Sequence, residues 1–239
     1  PGAIYDINLK DKANTKVAID TTLFIYKFKY SNGENFLEKF IELINRFKIN
    51  GITPIFVFDG KPPELKQECI KERRKKVDDA KEKMENCQNI EDKKELEKST
   101  LRLTWEMIDD VKRLLSYLGI SYIHMEVGEG EAIAAELCRI GYVDYVLTED
   151  MDTLVYGCPN LIRNCVDKSL KRKDIVSIFN YDKIIEGLEL TDTQFIDFCI
   201  FCGCDYCDSV PKVGNVTALK LIKKYKTIEN IMENTKYEY

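Results

Sequence analysis

The chain has 239 residues, with 36 Lys and Arg against 41 Asp and Glu and a formal net charge of −5. With 44% hydrophobic and 10% aromatic residues, it is expected to form one large domain, or one domain with a small appendage, around an ample core. A single histidine, His124, nearly excludes His-rich zinc hydrolases and His-dependent triads. The acidic net charge does not advertise nucleic-acid binding, yet a net value hides a local basic track. No stretch resembles a signal peptide or a spanning helix, so a soluble chain is expected. Nine cysteines without a secretory signal favour reduced thiols in a reducing compartment.

Residues 1–15 read as polar and irregular. Lys16-Val17-Ala18-Ile19-Asp20 reads as a short buried strand ending in an acid. Leu23 to Tyr30 looks helical, and Asn32-Gly33 marks a turn. Phe36, Phe40, Leu43, Ile44 and Phe47 recur at helical spacing, ending near Asn50-Gly51. Pro54 to Phe58 is a nearly continuous apolar run, as for a parallel strand buried on both faces, and Asp59 follows it. From Lys66 to Glu97 charge dominates, which predicts two solvated helices broken near Asn86 to Asn89. Leu103, Met107, Ile108, Val111, Leu114, Leu115 and Leu118 restore a helical core face, stopped by Gly119. Strands are expected at Ser121 to Met125, Tyr145 to Leu147 and Asn160 to Arg163. A helix is expected from Ala132 to Ile140, a short one after Asp152, and a basic turn at Lys168 to Lys173. The last part reads as helical.

Strand–helix units that each place an acid at the strand's carboxyl end predict an α/β fold with a doubly wound, mostly parallel sheet. Ligands of such sheets bind at that edge. Glu129 and Glu131 stand between a strand and a helix, and Asp150 and Asp152 follow another strand. Clustered acids repel unless a cation holds them, and hard dications such as Mg²⁺ and Mn²⁺ prefer oxygen ligands. Asp20 and Asp59 are expected at the same rim. Glu149 and Asp208 read instead as solvated carboxylates or helix caps.

Five pieces in order carry a resemblance. They are Val17-Ala18-Ile19-Asp20, Val57-Phe58-Asp59-Gly60-Lys61-Pro62-Pro63, Glu129-x-Glu131-Ala132, Thr148-Glu149-Asp150-Met151-Asp152 and Gly203-Cys204-Asp205-Tyr206. Together they resemble the structure-specific 5′ nuclease superfamily of xeroderma pigmentosum G/Rad2 type, and within it the flap endonucleases, from about Ala3 to Asn234. The resemblance implies a PIN-like fold and a Mg²⁺-dependent phosphodiester hydrolase acting near the junction of a 5′ single strand and duplex DNA, in replication and repair. It also implies 5′→3′ exonuclease activity. Its metal-site acids fall on Asp20, Asp59, Glu129, Glu131, Asp150, Asp152 and Asp205. Two-metal hydrolysis needs cations about 3.5–4 Å apart, and Mn²⁺ can substitute. The first four acids would group around one ion and the last three around the second, with Glu131 between them.

By the same resemblance Lys66 and Arg73 present cations to the scissile phosphate. Arg73 lies in a charge run that reads equally as a solvated face. Tyr26 matches a base-stacking tyrosine, and a core position is the alternative. Residues 66–105 resemble a helical cap or arch, which Lys98 and Arg102 would line. This divides one compact unit into residues 1–65 and 106–190 of a nuclease domain, the cap at 66–105, and a helix-hairpin-helix region at 191–239. In that hairpin, carbonyls near Ser209, Val210 and Val213 would hold K⁺, and Lys212, Gly214 and Asn215 would meet duplex DNA. Lys212 departs from the family's usual hairpin glycine, and Val216 and Thr217 stand where basic residues are common. Gly128 and Gly130 replace bulkier family residues, which predicts a looser start to the helix.

Family members begin ahead of the position matching Ala3 and continue past the hairpin, often with a tail that binds a sliding clamp. The chain is therefore expected to be a fragment, acting as a monomer inside the cell at sites of replication and repair. Alternatives are a 5′→3′ exonuclease, a junction or bubble endonuclease, or a catalytically silent scaffold. The run Cys199-x-x-Cys202-x-Cys204-x-x-Cys207 overlaps zinc patterns, but Cys199 and Cys202 fall on an apolar helix. His124 is expected to pack.

Overall fold

The computed structural model describes residues 2–86, 89, 93, 96, 100–165 and 174–237. Its centre is a strand, β2 (Lys16–Asp20), flanked in parallel by β3 (Thr53–Phe58) and β5 (Tyr145–Leu147). Every residue of β2 and β3 beyond the first is buried, so both strands carry apolar runs with no polar face. Alternation divides the side chains between two cores. Val17, Ile19, Phe56, Phe58 and Leu147 join one, while Ala18, Ile55, Val57 and Val146 join the other.

The described strands form a seven-stranded sheet in the order β1-β7-β6-β5-β2-β3-β4. β4 (Tyr122–His124) continues the parallel part beyond β3, and β6 (Asn160–Arg163) continues it beyond β5. The chain winds outward from β2 through β3 to β4, then returns to β5 on the other side of β2. That reversal opens a crevice at the carboxyl ends of β2, β3 and β5.

One face is covered by α1 (Thr21–Asn32), α2 (Phe36–Ile49) and α4 (Trp105–Tyr117). Phe24, Phe28, Phe40 and Phe56 form a ring cluster there, with centroids 4.9–6.0 Å apart along the chain of contacts. The other face carries α5 (Gly130–Arg139), α6 (Tyr181–Leu188), α7 (Asp192–Cys202), α8 (Asn215–Tyr225) and α9 (Ile228–Asn234). Thr191 caps α7 in a reciprocal box with Gln194, which satisfies two otherwise orphaned groups. Between the two windings stands α3 (Gln67–Glu85), which buries none of its residues and so depends little on the core.

Two expectations need correction. Residues 1–15 are not irregular. Ile4–Asn8 forms β1, which pairs antiparallel with β7 (Ile175–Asn180), a strand the sequence pattern did not reveal. Leu9 then turns fully inside and its N–H bonds Asp174 O at 2.8 Å. β1 is an edge strand with its first three residues exposed, so it lacks the continuous apolar run of β2. Glu149 is not solvated either. It faces Lys27 at 3.2 Å and Arg163 at 3.8 Å with a side chain only 17% exposed. The expected break after the first cap helix coincides with the end of α3 at Glu85. Most of the second cap helix, Lys98 and the basic turn at Lys168 to Lys173 lie outside the described residues.

Candidate active site

Asp20 ends β2 and caps α1, its Oδ1 accepting from Leu23 N at 3.4 Å. Its Oδ2 accepts from the hydroxyl of fully buried Thr148 at 3.0 Å, and that hydroxyl in turn accepts from Asp150 N at 3.0 Å. One threonine at the end of β5 thus sets the two carboxylates' spacing. Asp150 Oδ1 accepts from Asp152 N at 3.0 Å, which fixes the tight turn carrying both acids. Asp59 follows β3, and its Oδ1 accepts from Gly130 N at 2.5 Å. A Cβ on residue 130 would stand 2.9 Å from that oxygen. The glycine therefore tightens the start of α5 onto Asp59; the expected loosening is not observed.

Glu129 is the N-cap residue of α5 but makes no local capping bond. It lies 9% exposed, with Lys66 Nζ on Oε1 and the hydroxyls of Tyr156 and Tyr206 on Oε2. Glu131, on the first turn of α5, accepts from Thr153 Oγ1 at 3.4 Å. Asp205 lies on a two-residue turn between Cys204 and Cys207, whose backbones bond reciprocally at 2.9 and 3.3 Å. It accepts from Lys66 Nζ at 2.9 Å and from Arg73 at 2.5 Å. Lys66 and Arg73 thus come from the start of α3 and the turn before it, and Lys66 stands between Glu129 and Asp205.

The electrostatics link these groups into one neighbourhood. Burial, then Asp59, pushes Asp20 up to about 7 despite the opposing Thr148 bond. Burial, followed by Asp150, Asp20 and Glu129, pushes Glu131 up to about 9. Burial and the charges of Asp150 and Asp205 also raise Asp152. Burial works against Glu129 and Asp205 as well, but cation and hydroxyl bonds outweigh it and hold both below the usual carboxylate range. Burial and neighbouring charges of like sign both disfavour the ionised form, and acids perturbed in this way cluster at functional sites.

The donors fit hard dications in chemistry: seven carboxylates converge on one rim, with Lys66 and Arg73 as the cations paired to them. As they are placed, however, no three His, Cys, Asp or Glu side chains among the described residues are grouped closely enough to hold a metal ion. Lys66 has its ammonium on two of the carboxylates, and Asp20 and Asp59 are turned to backbone donors.

The zinc pattern gains no metal-binding group among the described residues. Cys204 and Cys207 are free thiols with sulfurs 3.4 Å apart. Tyr26 is 44% exposed and so is not a core ring. Arg102 bonds Asp78 at 2.5 Å on the neighbouring face of α3. Ser209 is exposed, Val210 and Val213 are buried, and Val213 N bonds Val210 O at 3.1 Å. Lys212 takes φ +66°, the conformation that suits a glycine. Gly214 caps α8 without a side-chain bond, leaving Asn215 on the first turn. His124 edges onto Phe58 at 6.2 Å and meets Lys112 Nζ at 3.0 Å. Tyr156 and Tyr206 are the contacts the sequence pattern did not single out.

The sheet order and the acid-lined edge define an α/β nuclease-type fold of the PIN-like class. The XPG N-terminal domain matches residues 2–80 and the XPG I-region matches residues 119–205. Flap endonuclease 1-A of Sorghum bicolor is 38% identical over 98% of this chain and 66% of its own length. Flap endonuclease 1 of Drosophila mojavensis is 38% identical over 98% of this chain and 64% of its own length. Flap endonuclease-1 from Methanococcus jannaschii is 32% identical in structure alignment, with a TM-score of 0.69 covering 96% of this chain and 79% of that one. The catalytic core of Rad2 in complex with DNA substrate gives a TM-score of 0.77 at 26% identity, over 97% of this chain and 68% of that one. The chain belongs to the flap endonuclease family of XPG-type proteins. It spans slightly less than two thirds of the length of the curated relatives it matches.

Proposed function

We propose that this chain is the nuclease part of a structure-specific 5′ flap endonuclease, hydrolysing a DNA phosphodiester near a single-strand/duplex junction in replication and repair. The observation that carries this is the convergence of Asp20, Asp59, Glu129, Glu131, Asp150, Asp152 and Asp205 on one sheet edge beside Lys66 and Arg73. Those seven would hold two Mg²⁺ ions, or Mn²⁺ in their place. When bound, such ions activate water and stabilise the attacking and leaving oxygens.

The chain's own residues supply the rest. Lys66 and Arg73 sit at the foot of α3 with their charges aimed into the carboxylate cluster. A phosphate entering there meets both, and their ion pairs to Asp205 and Glu129 pre-aim them before it arrives. Tyr26, exposed on α1, offers a ring on which an unpaired base stacks. Lys98 and Arg102 are the two cations of the 66–105 segment assigned to DNA binding. Lys212, Gly214 and Asn215 meet the duplex backbone at the start of α8, where the amides of a helix N-terminus favour a phosphate. Carbonyls of Ser209, Val210 and Val213 hold K⁺ in that hairpin. We place residues 66–105 as the cap and 191–239 as the helix-hairpin-helix region. The protein works as a monomer inside the cell, with 5′→3′ exonuclease activity and a sliding clamp as partner. Among the described residues no helix is long and apolar enough to cross a membrane.

The test is cleavage of an end-labelled 5′-flap DNA with Mg²⁺, beside nicked and gapped duplexes. Junction cleavage is expected, abolished by chelation and by Asp152→Ala. Lys66→Ala is expected to slow it on the order of 10²–10³-fold, as for loss of one preorganised transition-state partner. Cleavage that survives chelation, or is untouched by Asp152→Ala, refutes the assignment.

A further inference from the structure

Glu129 is held in an unusual way. It occupies an N-cap position, yet its carboxylate makes no bond to the helix it begins. Its orientation is set by partners distant in sequence. Oε1 takes the Lys66 ammonium, and Oε2 takes the hydroxyls of Tyr156 and Tyr206, the former at 2.9 Å. The two phenols also approach one another at 2.9 Å. Two hydroxyl protons cannot fill three contacts. Tyr206 can donate to Glu129 while Tyr156 donates to the carboxylate or to the Tyr206 oxygen. Either way one closed, partly buried network results, in which each bond polarises the next.

The origin of the two rings gives the network its meaning. Tyr156 follows the turn that carries Asp150 and Asp152. Tyr206 is the neighbour of Asp205 on the turn between Cys204 and Cys207. Glu129 opens the helix that carries Glu131. The three chain segments that supply five of the seven carboxylates therefore meet at one hydrogen-bonded point. Among the described residues, Glu129 is the one of those five that bonds both phenols.

We propose that Tyr156 and Tyr206 are positioning residues that aim the Glu129 carboxylate and lock the Asp205 turn against the Asp150–Asp152 turn, and so set the divalent-cation affinity of the centre. This rests on Glu129 being a ligand, as argued above. Hydrogen-bond donors behind a metal-ligating carboxylate fix its direction, and their loss typically weakens binding 10–100-fold. Removing only the hydroxyl keeps each ring in place, so the fold is not put at risk.

The experiment is calorimetric titration of Mn²⁺ into the DNA-free protein and its Tyr156→Phe, Tyr206→Phe, double Phe and Glu129→Gln variants. Tyr181→Phe serves as control, because its hydroxyl bonds a carboxylate, Asp192, at 3.2 Å on another helix. Melting temperatures without metal are recorded in parallel. The expected result is a dissociation constant raised on the order of tenfold in the double variant, smaller rises in each single variant, no change in the control, and metal-free melting temperatures that stay together. Weakened binding in Glu129→Gln with the double variant within twofold of the parent overturns this proposal and leaves the metal assignment standing. No Mn²⁺ binding by the parent, or none lost in Glu129→Gln, overturns both.

Discussion

Gly130 shows how much one missing methyl group can carry. Its amide reaches Asp59 at 2.5 Å because nothing stands between them. A Cβ would sit 2.9 Å from that carboxylate oxygen and 3.3 Å from the backbone of Phe58 and Asp59. Alanine is the better helix former by about 1 kcal/mol in a helix interior, but residue 130 is on the first turn, where that gain is smaller. The lost bond to a charged acceptor costs about 1.5–3 kcal/mol. Gly130→Ala is therefore expected to be net destabilising by about 1–2 kcal/mol in urea denaturation, and to weaken Mn²⁺ binding because Asp59 must turn away. Unchanged values for both would show that Asp59 relaxes freely. From sequence alone this glycine pointed to a loose helix start. The sequence gives the residue type but not which backbone lies against it.

At the scale of elements, legibility followed burial. β2, β3 and β5 announced themselves because both faces are covered, so their side chains are apolar without interruption. Their terminal acids stood out against that background. β1 and β7 did not: β1 is an edge strand that carries Tyr5 and Asp6, and β7, though paired on both sides, is only partly buried at Ser177 and Asn180 and so tolerates polar residues there. Tyr156 and Tyr206 were in view as letters, and Tyr206 fell inside a quoted motif. Their shared acceptor could not be read, since it depends on how three separate turns meet. The hairpin before α8 illustrates the opposite case. The family's glycine at position 212 was legible as a departure, and the backbone there is indeed left-handed, with φ +66°. A residue with a Cβ pays about 1–2 kcal/mol in that region, partly offset by the extra chain entropy that glycine loses on folding. Lys212→Gly is expected to raise the stability by about 0.5–1 kcal/mol, read as a higher urea midpoint with the slope unchanged. A lower midpoint would mean that the lysine side chain is making contacts that matter more than its backbone strain.

For the whole molecule, the dominant feature is a cluster of mutually repelling acids at one sheet edge, of which Asp20 and Glu129 are buried. Burial and mutual repulsion raise Asp20, Glu131 and Asp152 together. A dication that binds the folded chain and not the unfolded one stabilises it by mass action, about 2.7 kcal/mol at a hundredfold excess over its dissociation constant. For a domain of 150–250 residues that is a rise of about 5–10 °C in melting temperature. Mg²⁺ or Mn²⁺ is expected to produce such a rise, reversed by chelation and abolished in a chain lacking Asp20 and Glu131 carboxylates. A melting temperature indifferent to either ion would deny the cluster its proposed occupant.

The placement of β2 between β3 and β5 also has a consequence in the order of synthesis. Val17 pairs with Pro54 on one side and with Tyr145 on the other. A growing chain can lay β2 against β3 early, bringing Asp20 beside Asp59, but the opposite neighbour is made some ninety residues later than Pro54. Asp150 and Asp152 come just after that strand, and Asp205 is made later again. Until that last acid is made, the growing chain therefore holds only part of the carboxylate set. The sequence separation of its strands thus postpones assembly of the proposed centre until the segments after β5 exist.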